Sequence, residues 1–402
     1  MKKTVSLILA LCLCVFLTAC VKEPEPTAVP TAEPTVPTTQ PATDAPTEPT
    51  ETDPTDPHID IDFSHIPMTA VSLTEQTEVT LGKDSTTVFE YTYQNIRLVL
   101  PDAEMALAVN LDILNRIDGT KEAAADVMND AVSANPQYPY SFSIIYEPQR
   151  IDSMVLSLFG RQTVYSGGSA LNAGHGLTYD LATGTLLRLD DVLTDSVTAD
   201  TLCPLVIDAL AALPEDIYLF DDYVTTVENR FSGDFMQDDS WHLSDSGLCF
   251  TFAPYEVAPN SAGFIHAVIP YAQLTGILED DWFPPERVTP SGILEVQVFS
   301  QALSENFDTF TEVCLNRGSD MFLLHTDSII YDLVIESGFR RSDGFTPEST
   351  VFRANSLIPS DAVMLQADPT DTLPQLRITY TGAEGPVEVY LAVDADGNLQ
   401  IN

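Results

Sequence analysis

Hydrophobic and polar positions divide the chain into four stretches. The first, Val5 to Leu17, is an apolar run that follows Lys2-Lys3 and ends in Leu17-Thr18-Ala19-Cys20. Basic residues, a short apolar run and small residues before a break read as a secretion signal, 1–19, too short to span a membrane stably. The second stretch, 20–57, has no hydrophobic period: from Val21 to Pro57 nearly every residue is Pro, Thr, Glu, Asp or Ala. Such a segment cannot build a core and is expected to form an extended stalk, reaching on the order of 100 Å at roughly 3.1 Å per residue.

The third stretch, 58–283, carries the strongest periodicities. Val79-Thr80-Leu81 and Thr87 to Tyr93 alternate as strands, and Ile96 to Leu100 continues the second. Pro101-Asp102 then signals a helix start with Asp102 as N-cap. Met105, Val109, Ile113 and Ile117 recur every four residues, with Leu107, Leu111 and Leu114 broadening the stripe; this predicts an amphipathic helix packed on a sheet. Asp118-Gly119 is expected to break it before a second piece containing Ala123, Val127 and Val132. Strands are predicted at Ser141 to Tyr146 and Ile151 to Phe159. The densest glycine cluster follows, Gly167, Gly168, Gly174, Gly176 and Gly184, and reads as a structured loop at one end of the sheet. Helices are predicted at Leu202 to Leu213 and Tyr223 to Phe231. Trp241 to Phe252 reads as a hairpin turning at Ser244 to Gly247, with a further strand from Gly263 to Tyr271.

The fourth stretch, 290–402, follows the proline-rich boundary Phe283 to Gly292. It shows short strands at Leu294 to Phe299, Met321 to His325, Ile329 to Ile335, Leu376 to Tyr380 and Val387 to Val393. The order of elements predicts an α+β fold, an antiparallel sheet with packed helices, followed by a smaller β-rich C-terminal domain.

Charge narrows the partners. The 402 residues carry a formal net charge of -43, which becomes about -45 once Lys2 and Lys3 leave with the signal. This acidity argues against nucleic acid and against charge-driven docking on anionic lipid or wall polymers; it fits a cationic partner, metal ions, or simply the solubility of an acidic exoprotein. Cys203, Cys249 and Cys314 remain beyond Cys20, so at most one pair can form and no disulfide scaffold is implied.

Leu17-Thr18-Ala19-Cys20 resembles the bacterial lipobox, which implies lipidation of Cys20 and membrane attachment through that lipid alone. From about Ser72 to Trp282 the chain resembles an extracytoplasmic module of unknown function. That module is shared by the N-terminal region of the peptidoglycan deacetylase PdaC and the lysozyme-binding ectodomain of the anti-sigma factor RsiV. The resemblance rests on the helix Met105 to Ile117 after Leu100-Pro101, on Tyr165 to Gly168, and on Gly174-His175-Gly176. It also rests on Tyr179 to Gly184, on Gly247 to Ala258, and on the strand ending Ile269-Pro270-Tyr271. Here Ser169 to Ala173 separates two glycine elements that usually stand close together in the family. An anti-sigma role is not expected, because everything after Cys20 would lie outside the membrane.

Catalytic motifs are sparse. Phe220-Asp221-Asp222-Tyr223 imitates part of a deacetylase motif, but Tyr223 replaces its glycine and no histidine pair has i, i+4 spacing. His175, with Ser166, Ser169 and Asp180 nearby in sequence, raises a general-base reading; a turn histidine bonded to a neighbouring strand competes with it. His58, Asp60, Asp62 and His65 are metal-donor types but read as an edge strand, and Asp394 to Gly397 reads as a hairpin turn. No metal or cofactor is expected. The candidate binding loop comprises Tyr165, Gly167, Gly168, Gly174, His175, Gly176, Tyr179 and Tyr255, with Tyr271 as a further aromatic beside many carboxylates. The expected function is that of a non-enzymatic, lipid-anchored surface protein of a Gram-positive bacterium, exposed in the cell wall. It would bind or sense a wall component or a cationic wall-directed protein such as lysozyme. A wall-modifying hydrolase and a small-solute receptor are the alternatives.

Overall fold

A computed structural model describes residues 68–401, apart from 234, 238, 315–319, 342–343, 368–374 and 394–398. Cys20, the proline-rich stretch, the cluster from His58 to His65, and Asp394 to Gly397 lie outside the described residues. The described residues all belong to the second of two units, Ile61–Asn402.

Asp102 starts the main helix as its sequence implies. Its carboxylate accepts from the backbone N–H groups of Glu104 and Met105, satisfying two donors that the first turn leaves free. The helix α1 then runs unbroken over Ala103–Ala134. Gly119 does not break it, since a helical glycine costs only about 1 kcal/mol and the flanking turns are anchored on the sheet. Ile117 and Ala124 are buried there, and the Tyr91 hydroxyl meets Thr120 Oγ1 at 2.8 Å. Val109, Ile113 and Ile117 face the sheet, whereas Leu107, Leu111 and Leu114 are 57%, 49% and 45% exposed. Two residues on a helix span more than half a turn, so the second leucine row points away from the core rather than broadening it.

The strands are β1 (Ala70–Leu81), β2 (Thr87–Val99), β3 (Tyr140–Ile151), β4 (Val155–Tyr165), β5 (Leu171–Asp180) and β6 (Thr185–Leu186). β2, α1 and β3 form a crossover unit with β2 parallel to β3; β3, β4 and β5 continue as antiparallel hairpins. The predicted strand from Ile151 to Phe159 is divided, because Asp152 turns the chain by accepting from the N–H groups of Met154 and Val155.

On the face of this sheet away from α1 sits a second, three-stranded sheet: β7 (Trp241–Leu243), β8 (Gly247–Phe252) and β9 (Ile265–Pro270). Its hairpin turns at Ser244 to Gly247 as the sequence predicts. Alternate residues Trp241, Leu243, Leu248, Phe250, Phe252, Ile265 and Ala267 share a core with α2 (Leu189–Val192), α3 (Ala199–Ala211) and α4 (Tyr223–Phe231). The other set, including His242 and His266, faces the large sheet, where both rings meet Phe159.

Beyond residues 284–293, which form neither helix nor strand, the chain is β-rich as expected. β10 (Leu294–Val298) leads through the short helix α5 (Gln301–Ser304) to β11 (Thr309–Cys314) and β12 (Asp320–Thr326). Then come β13 (Ile330–Arg341), β14 (Gly344–Leu357), β15 (Asp361–Ala367), β16 (Gln375–Gly382), β17 (Gly385–Val393) and β18 (Leu399–Ile401). β10, β12, β15 and β11 make a four-stranded sheet.

The large sheet crosses the predicted boundary. Its eleven strands run β18-β17-β16-β13-β14-β1-β2-β3-β4-β5-β6 among the described residues. The joint is the pairing of Ala70, Val71 and Ser72 with Ala354, Arg353 and Phe352. Period-two alternation sends β1 side chains into different cores: Ala70 joins the four-stranded sheet's core, while Val71 and Leu73 join α1's. β14 went unpredicted because Pro347 and the polar run around it do not read as a strand; Pro347 sits at a register irregularity opposite Gly338.

Candidate functional site

Strand register assembles one end of the large sheet. β1 ends at Leu81 and β2 begins at Thr87; parallel β3 begins beside β2 with Phe89 opposite Tyr140. Ser141 pairs with Tyr165 at the end of β4, and Val164 pairs with Leu171 at the start of β5. Five strand ends therefore share one rim, roughly 20 Å across at the usual interstrand spacing. Leu81, Tyr138 and Leu171 on it are 56%, 68% and 71% exposed. The Tyr140 and Tyr165 rings meet edge to face, 6.4 Å between centroids. Gly167 closes the hairpin at φ +89 against the Tyr140 ring, a conformation glycine adopts without strain. Glu75, Glu78 and Asp84 are exposed along the β1–β2 hairpin, with Lys83 at its tip.

The expected binding loop is thus two things. Tyr165, Gly167 and Gly168 do belong to the end of the hairpin. Gly174, His175 and Gly176 are instead interior residues of β5, paired with Arg161, Gly160 and Phe159. Ser169 to Ala173, the segment that separates the two glycine elements, completes the turn and extends the hairpin.

Along β5, alternation sends His175 and Tyr179 to the α1 side. Tyr179 is fully buried and donates to Asp112 Oδ2 at 2.8 Å. Arg116 Nε reaches the same oxygen at 2.8 Å. Partial burial works against the Asp112 carboxylate, yet the bonds from Arg116 and Tyr179 outweigh it and hold its pKa below the ordinary value. His175 Nε2 lies 3.4 Å from the Tyr146 hydroxyl, the two rings edge to face. Burial lowers the His175 pKa, opposed by the charge of Asp239. Burial also pushes the Tyr146 phenol up to about 12. Tyr179, Asp112 and Arg116 tie the helix to the sheet through half-buried hydrogen bonds, with the His175–Tyr146 contact beside them on the same face.

Neither Ser166 nor Ser169 joins His175. Ser166 and Ser169 lie in the hairpin turn, and Leu171, where β5 begins, is four residue steps from His175, roughly 13 Å. Asp180 sits past His175 on the other side, where it holds a turn by accepting from Ala182 N–H and the Thr183 hydroxyl. Asp222 is the N-cap of α4 and Tyr223 its first residue. Of the remaining tyrosines, Tyr255 is 67% exposed at φ +72 in the loop after β8. Tyr271 is tied down, donating to Ser244 O at 2.8 Å and accepting from Arg150 at 2.8 Å.

Arg150 had no place in the sequence reading. It is 1% exposed, paired with Asp152 at 2.6 Å, and donates to Trp282 O at 2.5 Å. Beside it a crevice of ≈ 270 Å³ is lined by Arg150, Asp152, Asp245, Pro284, Pro285, Arg287 and Asp332. Arg287 Nη1 contacts both Asp332 oxygens, and Arg353 pairs with Asp245. Its walls are thus already cross-neutralised.

His242, Cys249 and His266 also escaped the sequence reading, although the predicted hairpin and the following strand contained the signal. Once Trp241 to Phe252 is a hairpin turning at Ser244 to Gly247, His242 must oppose Cys249 and share its face. Burial lowers the His242 pKa to about 3 and raises that of Cys249 to about 12, so both are neutral. Cys203 and Cys249 are free thiols, so these two do not pair.

Among solved structures, a member of the DUF3298 family from Bacteroides fragilis is similar at 16% identity and a TM-score of 0.39, over 52% of this chain and 94% of that one. A DUF3298 family protein from Pseudomonas aeruginosa is similar at 15% identity and a TM-score of 0.39, over 54% and 97% respectively. No curated protein matches the chain. Residues 190–272 match the family described as "Protein of unknown function (DUF3298)". The chain therefore carries a DUF3298 domain at residues 190–272, the segment that supplies α3, α4 and the entire three-stranded sheet.

Proposed function

We propose that the protein is a lipid-anchored, extracytoplasmic binding or sensing protein that presents the rim of β1 to β5 to a cationic, wall-directed protein such as a lysozyme. The observation that carries this reading is the rim itself: Leu81, Tyr138 and Leu171 exposed together beside Tyr140 and Tyr165. Exposed apolar and tyrosine side chains spread along one rim are contact area, and an acidic surround steers a basic partner towards them. The net charge of -43 supports steering. The lipobox at Cys20 and the stalk support display away from a membrane. The resemblance to the PdaC/RsiV module supports the choice of partner. The hydrolase alternative loses its motive, since Ser166, Ser169 and His175 stand apart.

Calorimetric titration of the Ile61–Asn402 unit with a cationic lysozyme is expected to give micromolar or tighter binding that weakens with added salt. Tyr138→Ser combined with Leu171→Ser is expected to weaken it at least tenfold without changing the unfolding midpoint. Absence of heat at low salt, or binding unchanged in the double variant, would remove this reading.

A further inference from the structure

Three metal-ligating side chains meet in the layer between the large sheet and the three-stranded sheet, and register puts them there. His242 and Cys249 are direct partners across β7 and β8, and His266 stands opposite Thr251, two residues further along β8. One ligand atom from each lies within 4.8 Å of the other two. The edge from Cys249 Sγ to His266 Nδ1 is 3.8 Å. Three ligands at equal angles around a first-row ion, with metal–nitrogen near 2.0 Å and metal–sulfur near 2.3 Å, stand about 3.8 Å apart along such an edge. Closing the longest edge requires an approach of about 1 Å, within reach of a ring rotation.

A second observation points to a ligand. His242 is 1% exposed, and its Nδ1 is buried with no hydrogen-bond partner. Buried ring nitrogens in folded proteins normally have one, and an ion serves as well as a donor. His266 Nδ1, by contrast, has the Thr251 hydroxyl at 3.0 Å.

We propose that His242, Cys249 and His266 form a buried binding site for one soft d10 cation, the cuprous ion. Two imidazoles with one thiolate in a trigonal set are copper ligands by type and geometry. Charge selects the oxidation state. On binding, the Cu–S bond forms as the Cys249 S–H proton leaves to solvent, and no electron is transferred. One thiolate then cancels one positive charge. A divalent ion would leave a net positive charge where the surrounding contacts are the Phe159 ring, the Thr251 hydroxyl and the backbone near Gly176. The site lies on paired strands of one rigid sheet, which supports a fixed geometry. It is independent of the rim and stands or falls separately from it.

The test is anaerobic titration of the reduced Ile61–Asn402 unit with Cu(I) held by a chromogenic chelator, with Zn²⁺ and Co²⁺ in parallel. One equivalent of Cu(I) withdrawn from the chelator is expected, with copper–sulfur and copper–imidazole scattering by X-ray absorption. Cys249→Ala and, separately, His242→Phe are expected to abolish the withdrawal while leaving Cys203 and Cys314 in place. No withdrawal by the unsubstituted protein overturns the proposal. So does withdrawal undiminished in Cys249→Ala, or tight Co²⁺ or Zn²⁺ binding at these residues without Cu(I) binding.

Discussion

Gly176 lies so close to the Trp241 backbone that an added Cβ would stand 1.6 Å from the Trp241 carbonyl oxygen. The contact is one of the places where the three-stranded sheet rests on β5, and the Gly176 N–H also donates to Asp239 O at 2.7 Å. Gly176→Ala is therefore expected to force the two sheets apart, at a cost of about 3 kcal/mol or more. Gly168→Ala, where an added Cβ meets nothing within 4 Å, is expected to be near neutral. Urea unfolding of both variants checks the contrast; equal midpoints would refute the close-approach account.

Arg150 and Asp152 form the most deeply buried ion pair among the described residues, at 2.6 Å. Arg150→Met leaves the Asp152 carboxylate buried beside Tyr271 without its cation. The expected loss is about 3–5 kcal/mol, since an uncompensated buried charge costs more than the intact pair contributes. Adding Asp152→Asn to Arg150→Met should restore part of that loss. A double-mutant cycle by chemical denaturation measures the coupling, and strict additivity would show that the pair does not act as a unit.

His175 makes stability depend on pH. Burial lowers its folded-state pKa below the ordinary 6.5. The unfolded chain then binds the extra proton first as pH falls. The contribution is fully present above pH 6.5 and is lost as pH falls from there towards the lowered folded-state value. Unfolding midpoints followed from neutral pH down to about pH 5 are expected to fall less steeply in His175→Asn than in the unsubstituted chain. Equal slopes would mean that the ring is solvated in the folded state.

The joint between β1 and β14 predicts that the two halves are not separable. Cutting the chain at Phe283 would expose Met68 and Ala70, 4% and 0% exposed in the intact fold, and leave a free edge on β1. A 61–283 fragment is expected to unfold at lower urea than Ile61–Asn402 and to aggregate through that edge. Light scattering and unfolding of the two proteins settle it; a monomeric fragment of equal stability would contradict the prediction.

Local chemistry determined much of this protein. Asp102 names its own helix start because a carboxylate at that position meets free N–H groups whatever surrounds it. The alternation in β2 and the Ser244 to Gly247 turn are likewise properties of a few consecutive residues, and so is the spacing of Val109, Ile113 and Ile117. Tertiary structure decided what depends on distant partners. Gly119 stays helical because Ile117 and Ala124 are held on the sheet. β14 is a strand because β1 and β13 pair with it despite Pro347. The glycines at 174 and 176 read as a loop, since glycine's freedom suggests a turn. At Gly176 another backbone arriving from Trp241, sixty-five residues away, needs the same missing Cβ, at Gly174 the Phe159 and Phe264 rings do, and no local pattern distinguishes these needs from a turn. His242, Cys249 and His266 are unremarkable strand residues in sequence. Only pairing across three strands, and a second sheet closing over them, brings their ligand atoms within 4.8 Å of one another.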